Sequence, residues 1–301
     1  MIIDCAIIGG GPAGLNAALV LGRARRSIIL FDNDQPRNAV THESHGFITR
    51  DGVSPREFRD LAHHDIRKYP SVNIKKSNVL EINRESHSLF KLITDDGESY
   101  LSRKIMLAIG LKEKLPDVNG IRDYYGRSLF SCPYCDGWEL KDQPLVLIGV
   151  NNNAPHLAKM IYQWSKDLVI CTNGNSILSD TEMLLFKSKG IGIREERIAH
   201  LSGTDGKLKK VVFEDGRELN RTGGFVTPEL EKPNDLADLL GCEMNKIGGI
   251  IIDALGRTNV EGVYAAGDIS AGGPTQLIIA ASQGSRAAMG INSDLTMEEF
   301  E

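Results

Sequence analysis

The sequence predicts an α/β protein built from two strand–turn–helix units, the second inserted into the first, and three stretches carry that expectation. The apolar run Ile2–Ile8 passes through Gly9-Gly10-Gly11-Pro12-Ala13-Gly14 into a helical pattern at Leu15, Ala18, Leu19 and Gly22. A second apolar run, 144–148, passes through Gly149-Val150-Asn151-Asn152-Asn153-Ala154 into a helix expected to reach Trp164. Later, Val263-Tyr264-Ala265-Ala266-Gly267-Asp268 reads as a strand closing on Gly-Asp, followed by Gly272-Gly273-Pro274 and a helical run over 275–290. Apolar strand, glycine turn and helix in that order make the βα unit of a dinucleotide-binding sheet. The fold class is therefore two Rossmann-like (three-layer ββα) dinucleotide-binding domains, expected at 1–113 with 246–301 and at 114–245.

Composition leaves room for both. The 301 residues are 41% hydrophobic and 25% charged, with 31 glycines, long enough for two domains of ordinary size. The net charge of −5 argues against the basic footprint of a nucleic-acid binder. Lys75-Lys76 and Lys209-Lys210 read as solvated loop charges, so no DNA or RNA partner is expected. Residues 1–22 are apolar but lack a basic leader and are interrupted by four glycines before residue 15, which fits neither a signal peptide nor a membrane span. The expected location is the cytoplasm. In a reducing compartment five cysteines do not build a disulfide framework, and a close pair reads as catalytic or metal-binding. Cys5, Cys171 and Cys242 stand singly in apolar runs and read as small packed hydrophobes.

In the first unit Gly9 permits the tight turn, Gly11 lets a pyrophosphate approach the backbone, and Gly14 lets the helix sit close on the strand. The next strand, 27–31, ends at Asp32, near the spacing at which an acidic group meets an adenosine ribose. Residues 33–60 are less regular and read as a loop crossing a ligand. His42 and His45 have the spacing of a metal pair, but with no third or fourth ligand near in sequence a polar loop contact is the better reading, and no metal is expected. His63-His64 fall on an expected helix of alternating charge and read as a solvated face. Val72–Ile74, Val79–Ile82, Leu89–Thr94 and Tyr100–Ile109 follow as strands with a turn at Asp95-Asp96-Gly97, and Leu115-Pro116 to Gly120 marks a hinge.

The second unit departs from the first. Its strand at 144–148 has a partner at 167–172, but Asn151 occupies the middle-glycine position, where a side chain stands in the way of a pyrophosphate. The partner strand runs out through Thr172-Asn173-Gly174-Asn175, with neither an acid for a ribose nor an arginine for a 2′-phosphate, which counts against nicotinamide binding. Residues 184–230 read as short strands with turns at Asp205-Gly206 and Asp215-Gly216, 227–234 as a return linker, and Ile250–Asp253 as a further strand.

Between the two glycine turns lies Ser131-Cys132-Pro133-Tyr134-Cys135-Asp136-Gly137-Trp138-Glu139. A helical turn starting at Pro133, a residue suited to the first helical position, holds the two sulfurs close enough to interconvert disulfide and dithiol. The free N–H groups of such a turn favour a thiolate. Asp136 is placed to carry the proton of a leaving thiolate. Zinc takes four ligands where this pair supplies two, so a metal site is the lesser reading.

Together these residues resemble the low-molecular-weight thioredoxin reductase family over nearly the whole chain. Gly9-x-Gly11-x-x-Gly14 resembles that family's FAD pyrophosphate turn, and Ala266-Gly267-Asp268 its second FAD motif, where the aspartate holds the ribityl chain. Gln276-Leu277 fall where the family's last helix meets the isoalloxazine. The resemblance implies an FAD-dependent thiol–disulfide oxidoreductase, with Cys132 as attacking sulfur, Cys135 as flavin-proximal sulfur and Asp136 as proton carrier. It implies further cofactor contacts at Pro12, Ala13, Arg37, Asn38, His45, Val79, Ala108 and Gly110, and a homodimer. The most similar branch is that of thioredoxin-reductase-like dithiol oxidoreductases, which includes the oxidases that close disulfides in gliotoxin- and holomycin-type natural products. Pro36-Arg37-Asn38, residues 45–52, Cys132-Pro133-Tyr134-Cys135 and Gln163-Trp164-Ser165 carry that likeness.

The family's glycine triplet and arginine-rich NADPH signature are missing from the second unit, so the electron donor stays open. NADPH feeding a reductase of a thioredoxin-like protein or small-molecule disulfide, a ferredoxin donor, and a dithiol oxidase passing electrons to oxygen are all consistent with it. A redox-sensing flavoprotein without turnover and an inactive FAD-binding protein are the alternatives of a different class.

Overall fold

The computed structural model describes residues 2–270 and 275–301; the expected Gly272-Gly273-Pro274 turn lies outside the described residues. The first sheet runs in the order Val72–Lys75, Ile28–Phe31, Ile2–Ile8, Ser99–Leu107, Leu89–Thr94 and Val79–Ser86, with Val263–Ala265 added alongside Ser99–Leu107. The long strand Ser99–Leu107 joins two kinds of pairing. One edge of it, from Leu101 to Leu107, is parallel to Ile2–Ile8; the other is antiparallel to Leu89–Thr94 at its start and parallel to Val263–Ala265 at its end. The parallel strands are near-continuous apolar runs because both of their faces are covered. Against one face, helices Pro12–Arg23, Pro55–Ile66 and Leu277–Phe300 help to bury Cys5, Ile7, Leu30, Met106 and Tyr264. Against the other lie Phe31, Phe90, Leu92 and Leu107.

The second sheet is parallel throughout: Gly192–Arg194, Leu168–Cys171, Leu145–Ile148, Gly223–Val226 and Leu129–Phe130. Leu145, Leu147, Ile170 and Phe225 share one core with Ala158, Ile161 and Phe186 of helices Ala154–Ile161 and Asp180–Ser188. Val146, Ile148 and Val226 share another with the antiparallel sheet Ile198–Thr204, Lys207–Phe213 and Glu218–Asn220. Helix, parallel sheet and small antiparallel sheet make the expected three layers. The two crossings between the units lie side by side: Lys112–Lys114 pairs antiparallel with Glu229–Glu231, and the Lys114 ammonium meets the Glu229 carboxylate at 2.8 Å.

Several expectations need correction. The first core takes in Leu236, Ala237 and Cys242, so the chain has returned to the first sheet's packing ahead of the 245/246 boundary. Residues 184–230 do not begin with strands, because helix Asp180–Ser188 covers their start. Its signal was available in Ser179-x-x-Glu182: the Ser179 hydroxyl accepts the Glu182 N–H, and the Glu182 carboxylate accepts the Ser179 N–H, a capping box. Ile250–Asp253 is not a strand beyond one bridge from Ile250 to Met244, since the Asp253 carboxylate turns the chain by accepting the N–H groups of Leu255 and Arg257. His63 is not solvated; it packs inward on Asp32, while His64 stays exposed.

The terminal helix seats on the first helix through glycine. A Cβ added at Gly284 would lie 2.1 Å from the backbone oxygen of Ala13, and Asn16 donates to Ala281 O at 3.0 Å. Gly284→Ala is therefore expected to force the helices apart and cost about 1–3 kcal/mol in urea unfolding; unchanged stability would show that this contact has slack.

Candidate active site

The parallel strands of the first sheet deliver Gly9, Asp32, Ala108 and Gly267-Asp268 to one edge. Three glycines there are fixed by what surrounds them. Gly9 has φ +112°, and a Cβ on it would lie 2.2 Å from Ala108 O. A Cβ on Gly10 would strike the Asp32 carboxyl at 2.0 Å, and one on Gly14 would strike Gly9 O at 1.9 Å. Gly11 differs, since a Cβ on it would meet nothing within 4 Å. It faces open space at the start of a helix whose Leu15 N–H is bonded back to Gly11 O, which leaves the amides of Ala13 and Gly14 for an anion. Gly267, with φ +81°, closes on the same helix: its absent Cβ would sit 3.0 Å from that of Ala13. The cradle fits a dinucleotide pyrophosphate.

The other expected cofactor contacts sort into groups. Ala108 lies against Gly9, Gly110 has φ +65° with open space where a Cβ would be, and Gln276 and Leu277 begin the terminal helix half-buried. Asn38 Nδ2 lies 3.4 Å from the Ser44 hydroxyl. Val79 has its side chain in the core that holds Phe31 and Phe90 and stands opposite Thr94 in the sheet. Asp32 ends its strand as expected, but its carboxylate already accepts from Arg59 at 2.6 Å and from the Asp34 N–H at 2.9 Å, with His63 at 3.3 Å. Burial alone would raise its pKa; these partners outweigh burial and hold it at about 2.

His45 is corrected. Its contacts are carboxylates: Glu43 at 3.5 Å, Asp51 at 3.6 Å and, across the boundary between the units, Glu139 at 3.6 Å.

Cys132 and Cys135 form a disulfide with Cα atoms 5.3 Å apart. The turn Pro133–Asp136 starts at proline as expected, with the Cys135 and Asp136 N–H groups both bonded to Cys132 O. Both sulfurs belong to half-buried residues, flanked by exposed Tyr134 and Trp138. Trp164 backs the turn: it meets Tyr134 edge-on, and a Cβ on Gly137 would be 2.8 Å from its ring. The Asp136 pKa is pushed up to about 7, by burial first and then by the negative charge of Glu139, with His45 opposing and Glu113 adding to the rise. A carboxyl tuned near neutrality suits proton transfer to and from a thiolate.

Glu113 was not singled out in the sequence. It accepts from Arg37 at 2.7 Å, from the Tyr125 hydroxyl at 2.5 Å and from the Ser131 hydroxyl at 3.1 Å, and Arg37 also donates to Asp268 at 2.7 Å. Its three-residue strand carries no motif, so only tertiary structure reveals it.

The second glycine turn is closed by its own hydrogen bonds. Asn151 folds its side chain onto its own loop, donating to Thr227 O at 3.1 Å while its oxygen accepts the Asn153 N–H at 3.1 Å. The Val150 N–H goes to the Thr227 hydroxyl and the Ala154 N–H to Asn151 O. The Val150, Asn153 and Ala154 amides are thus bonded within the unit.

Cys5, Cys171 and Cys242 are buried and free as expected, and burial pushes the Cys171 thiol up to about 12. Among the described residues no helix is long and apolar enough to cross a membrane.

A family model for pyridine nucleotide-disulphide oxidoreductases matches residues 3–284. The crystal structure of a putative thioredoxin reductase TrxB from Bacillus anthracis is similar at a TM-score of 0.95, with 51% identity over 99% of each chain. A probable thioredoxin reductase of Arthroderma benhamiae is 30% identical over 99% of this chain and 81% of its own length. Thioredoxin reductase tcpT of Claviceps purpurea is 32% identical over 89% of this chain and 86% of its own length.

The Asp136 carboxyl has a consequence for stability. With its pKa raised from 3.8 to about 7, the folded state holds a proton that the unfolded state releases between those values, so the protein loses stability as pH rises through that window. Asp136→Asn removes this dependence. Its melting temperature is expected to gain on the unsubstituted protein from pH 4 to 7 and to keep a constant lead above; parallel curves would place the carboxyl in ordinary solvent.

Proposed function

The chain belongs to the pyridine nucleotide-disulphide oxidoreductase family and is a thiol–disulfide oxidoreductase of thioredoxin-reductase type, and from that premise we propose that it oxidises a partner dithiol through Cys132–Cys135 onto bound FAD, with no nicotinamide site in the second unit. The observation that carries this is the closure of the second glycine turn by Asn151 and Thr227 beside a first turn open at Gly11. When bound, FAD supplies a two-electron acceptor for the reduced cysteine pair, and dioxygen serves as the final acceptor.

The residues would hold FAD at Gly9, Gly11, Pro12, Ala13 and Gly14, with Asp268 and Gln276-Leu277 toward its redox end and Asp32 toward its adenosine. The partner is a thioredoxin-like protein or a small dithiol. One partner thiol, as thiolate, attacks the sulfur of Cys132. The new S–S bond forms as the Cys132–Cys135 bond breaks, and the Cys135 sulfur leaves with the electron pair and takes a proton from Asp136. The partner's second thiol then displaces Cys132 from the mixed disulfide. The partner departs oxidised, and the two cysteines keep the two protons that its thiols lost.

The same reading places the protein in a reducing compartment, where buried Cys5, Cys171 and Cys242 stay free, and makes it a homodimer. The terminal helix supports a dimer with exposed Met289, Met297 and Phe300. Sedimentation is expected to give twice the chain mass for the native protein and the single mass for Met297→Glu; a native monomer rejects the dimer.

Anaerobic titration of the FAD-loaded protein tests the main proposal. Dithiothreitol is expected to bleach the flavin absorbance, which air restores, while NADPH and NADH leave it unchanged. Rapid bleaching by either nucleotide overturns the proposed absence of a nicotinamide site, and failure of dithiothreitol, or an unimpaired Cys132→Ser variant, overturns the disulfide route.

A further inference from the structure

The two crossings between the units form a short ribbon, and along the strand Lys112–Lys114 the exposure alternates: Lys112 and Lys114 face water and Glu113 faces inward. The Glu113 side chain is 10% exposed. A carboxylate taken that far from water needs charged or hydrogen-bonded partners on its oxygens. Its partners come from both units. Oε1 receives Arg37 of the first unit at 2.7 Å and the hydroxyl of Ser131, the residue before Cys132, at 3.1 Å; Oε2 receives the Tyr125 hydroxyl at 2.5 Å. Arg37 carries the connection on to Asp268 at the glycine edge. Next to Tyr125 the units touch backbone to backbone, for a Cβ on Gly126 would lie 2.3 Å from Val40 O. At the other end of the redox segment, Glu139 faces His45 of the first unit at 3.6 Å.

We propose that Glu113 is a positioning residue for the redox disulfide: by binding Ser131 and Tyr125 on one side and Arg37 on the other, it fixes the Cys132–Cys135 turn against the glycine edge of the first unit. The proposal deepens the function proposed above and rests on that reading for its flavin step. Glu113 also acts on the proton carrier. The charges that act on Asp136 are, in order of effect, Glu139 of its own segment, His45 of the first unit's loop and Glu113 of the ribbon; the two carboxylates favour its protonated form and His45 opposes them. Glu113 thus fixes where the turn sits, and its charge adds a smaller contribution to the field at Asp136.

Glu113→Gln tests this. The amide keeps the size and can still accept from Ser131 or Tyr125, but it cannot ion-pair with Arg37. FAD content is expected to stay at the native level. In the dithiothreitol-reduced protein, alkylation of Cys132 by iodoacetamide, followed by peptide mass spectrometry, is expected to speed up about tenfold, the scale of one charge-assisted hydrogen bond. Flavin reduction by dithiothreitol is expected to slow by a similar factor, and its pH midpoint to move down, because a negative charge near Asp136 has gone. Glu113→Asp is expected to restore the midpoint but not the alkylation rate, since the charge returns without the reach. Should Glu113→Gln fail to fold, Ser131→Ala removes one of the hydrogen bonds and is expected to raise alkylation in the same direction. Unchanged alkylation and an unchanged midpoint, with native flavin reduction intact, overturn the role of Glu113 and leave the proposed function standing. If the native protein's flavin is not reduced by dithiol at all, the proposed function fails, and the alkylation rates still decide whether Glu113 positions the turn.

Discussion

Backbone meeting backbone around Ala13 sets the geometry on which everything at the first glycine turn depends. Gly14 brings the first helix onto Gly9, Gly284 brings the terminal helix onto Ala13 O, and Gly267 brings the second acidic loop onto the Ala13 side chain. At Gly14 and Gly284 a single methyl group would collide with main chain, which has no rotamer by which to yield. Once those approaches are made, the first helix can begin only where it does, and its free amides and Asp268 converge on the same edge. Gly11, the one glycine of the turn with space before it, then marks where that edge meets a ligand.

Charge does the corresponding work between the units. Acidic groups crowd the boundary: Asp268 and Glu113 around Arg37, and Asp136 and Glu139 near His45. Arg37 compensates the first pair at hydrogen-bond distance. The second pair is left short of positive charge in a half-buried setting, and the imbalance is met by proton uptake at Asp136. The disulfide turn is too short to rely on a helix dipole. Its proton chemistry rests first on the burial of Asp136 and then on this local excess of carboxylates.

Much of this was legible in the sequence because it is local. The glycine spacing of residues 9–14, the Cys-Pro-Tyr-Cys turn and Asn151 in its glycine turn each act within a few residues of themselves, and the helical turn from Pro133 and the Cys132–Cys135 disulfide form as their spacing predicts. What was not legible is tertiary. Asp32 stands at the expected spacing, yet nothing nearby in sequence announces Arg59 and His63, which come from a helix later in the chain. His45 could be placed on a loop but not turned toward Glu139. Glu113 sits in a strand of three residues whose inward direction is set by pairing with Glu229–Glu231. Helix Asp180–Ser188 is a different kind of miss: its capping box was present, and the strand pattern that follows it masked the signal.

That ribbon of Lys112–Lys114 and Glu229–Glu231 also gives the molecule a particular topology. Everything from 115 to 228 leaves and rejoins the first unit through adjacent strands held in register, so the inserted unit is a closed excursion whose two ends lie side by side. Its interior can change shape, length or ligand without transmitting a register shift to the first sheet. The hydrogen bonds that close the turn at Asn151 onto Thr227 likewise lie inside the excursion. The same arrangement means that tension applied at the two chain ends acts on the first unit directly and loads the disulfide-bearing unit through this ribbon and through the contacts of Gly126 with Val40 and of Glu139 with His45.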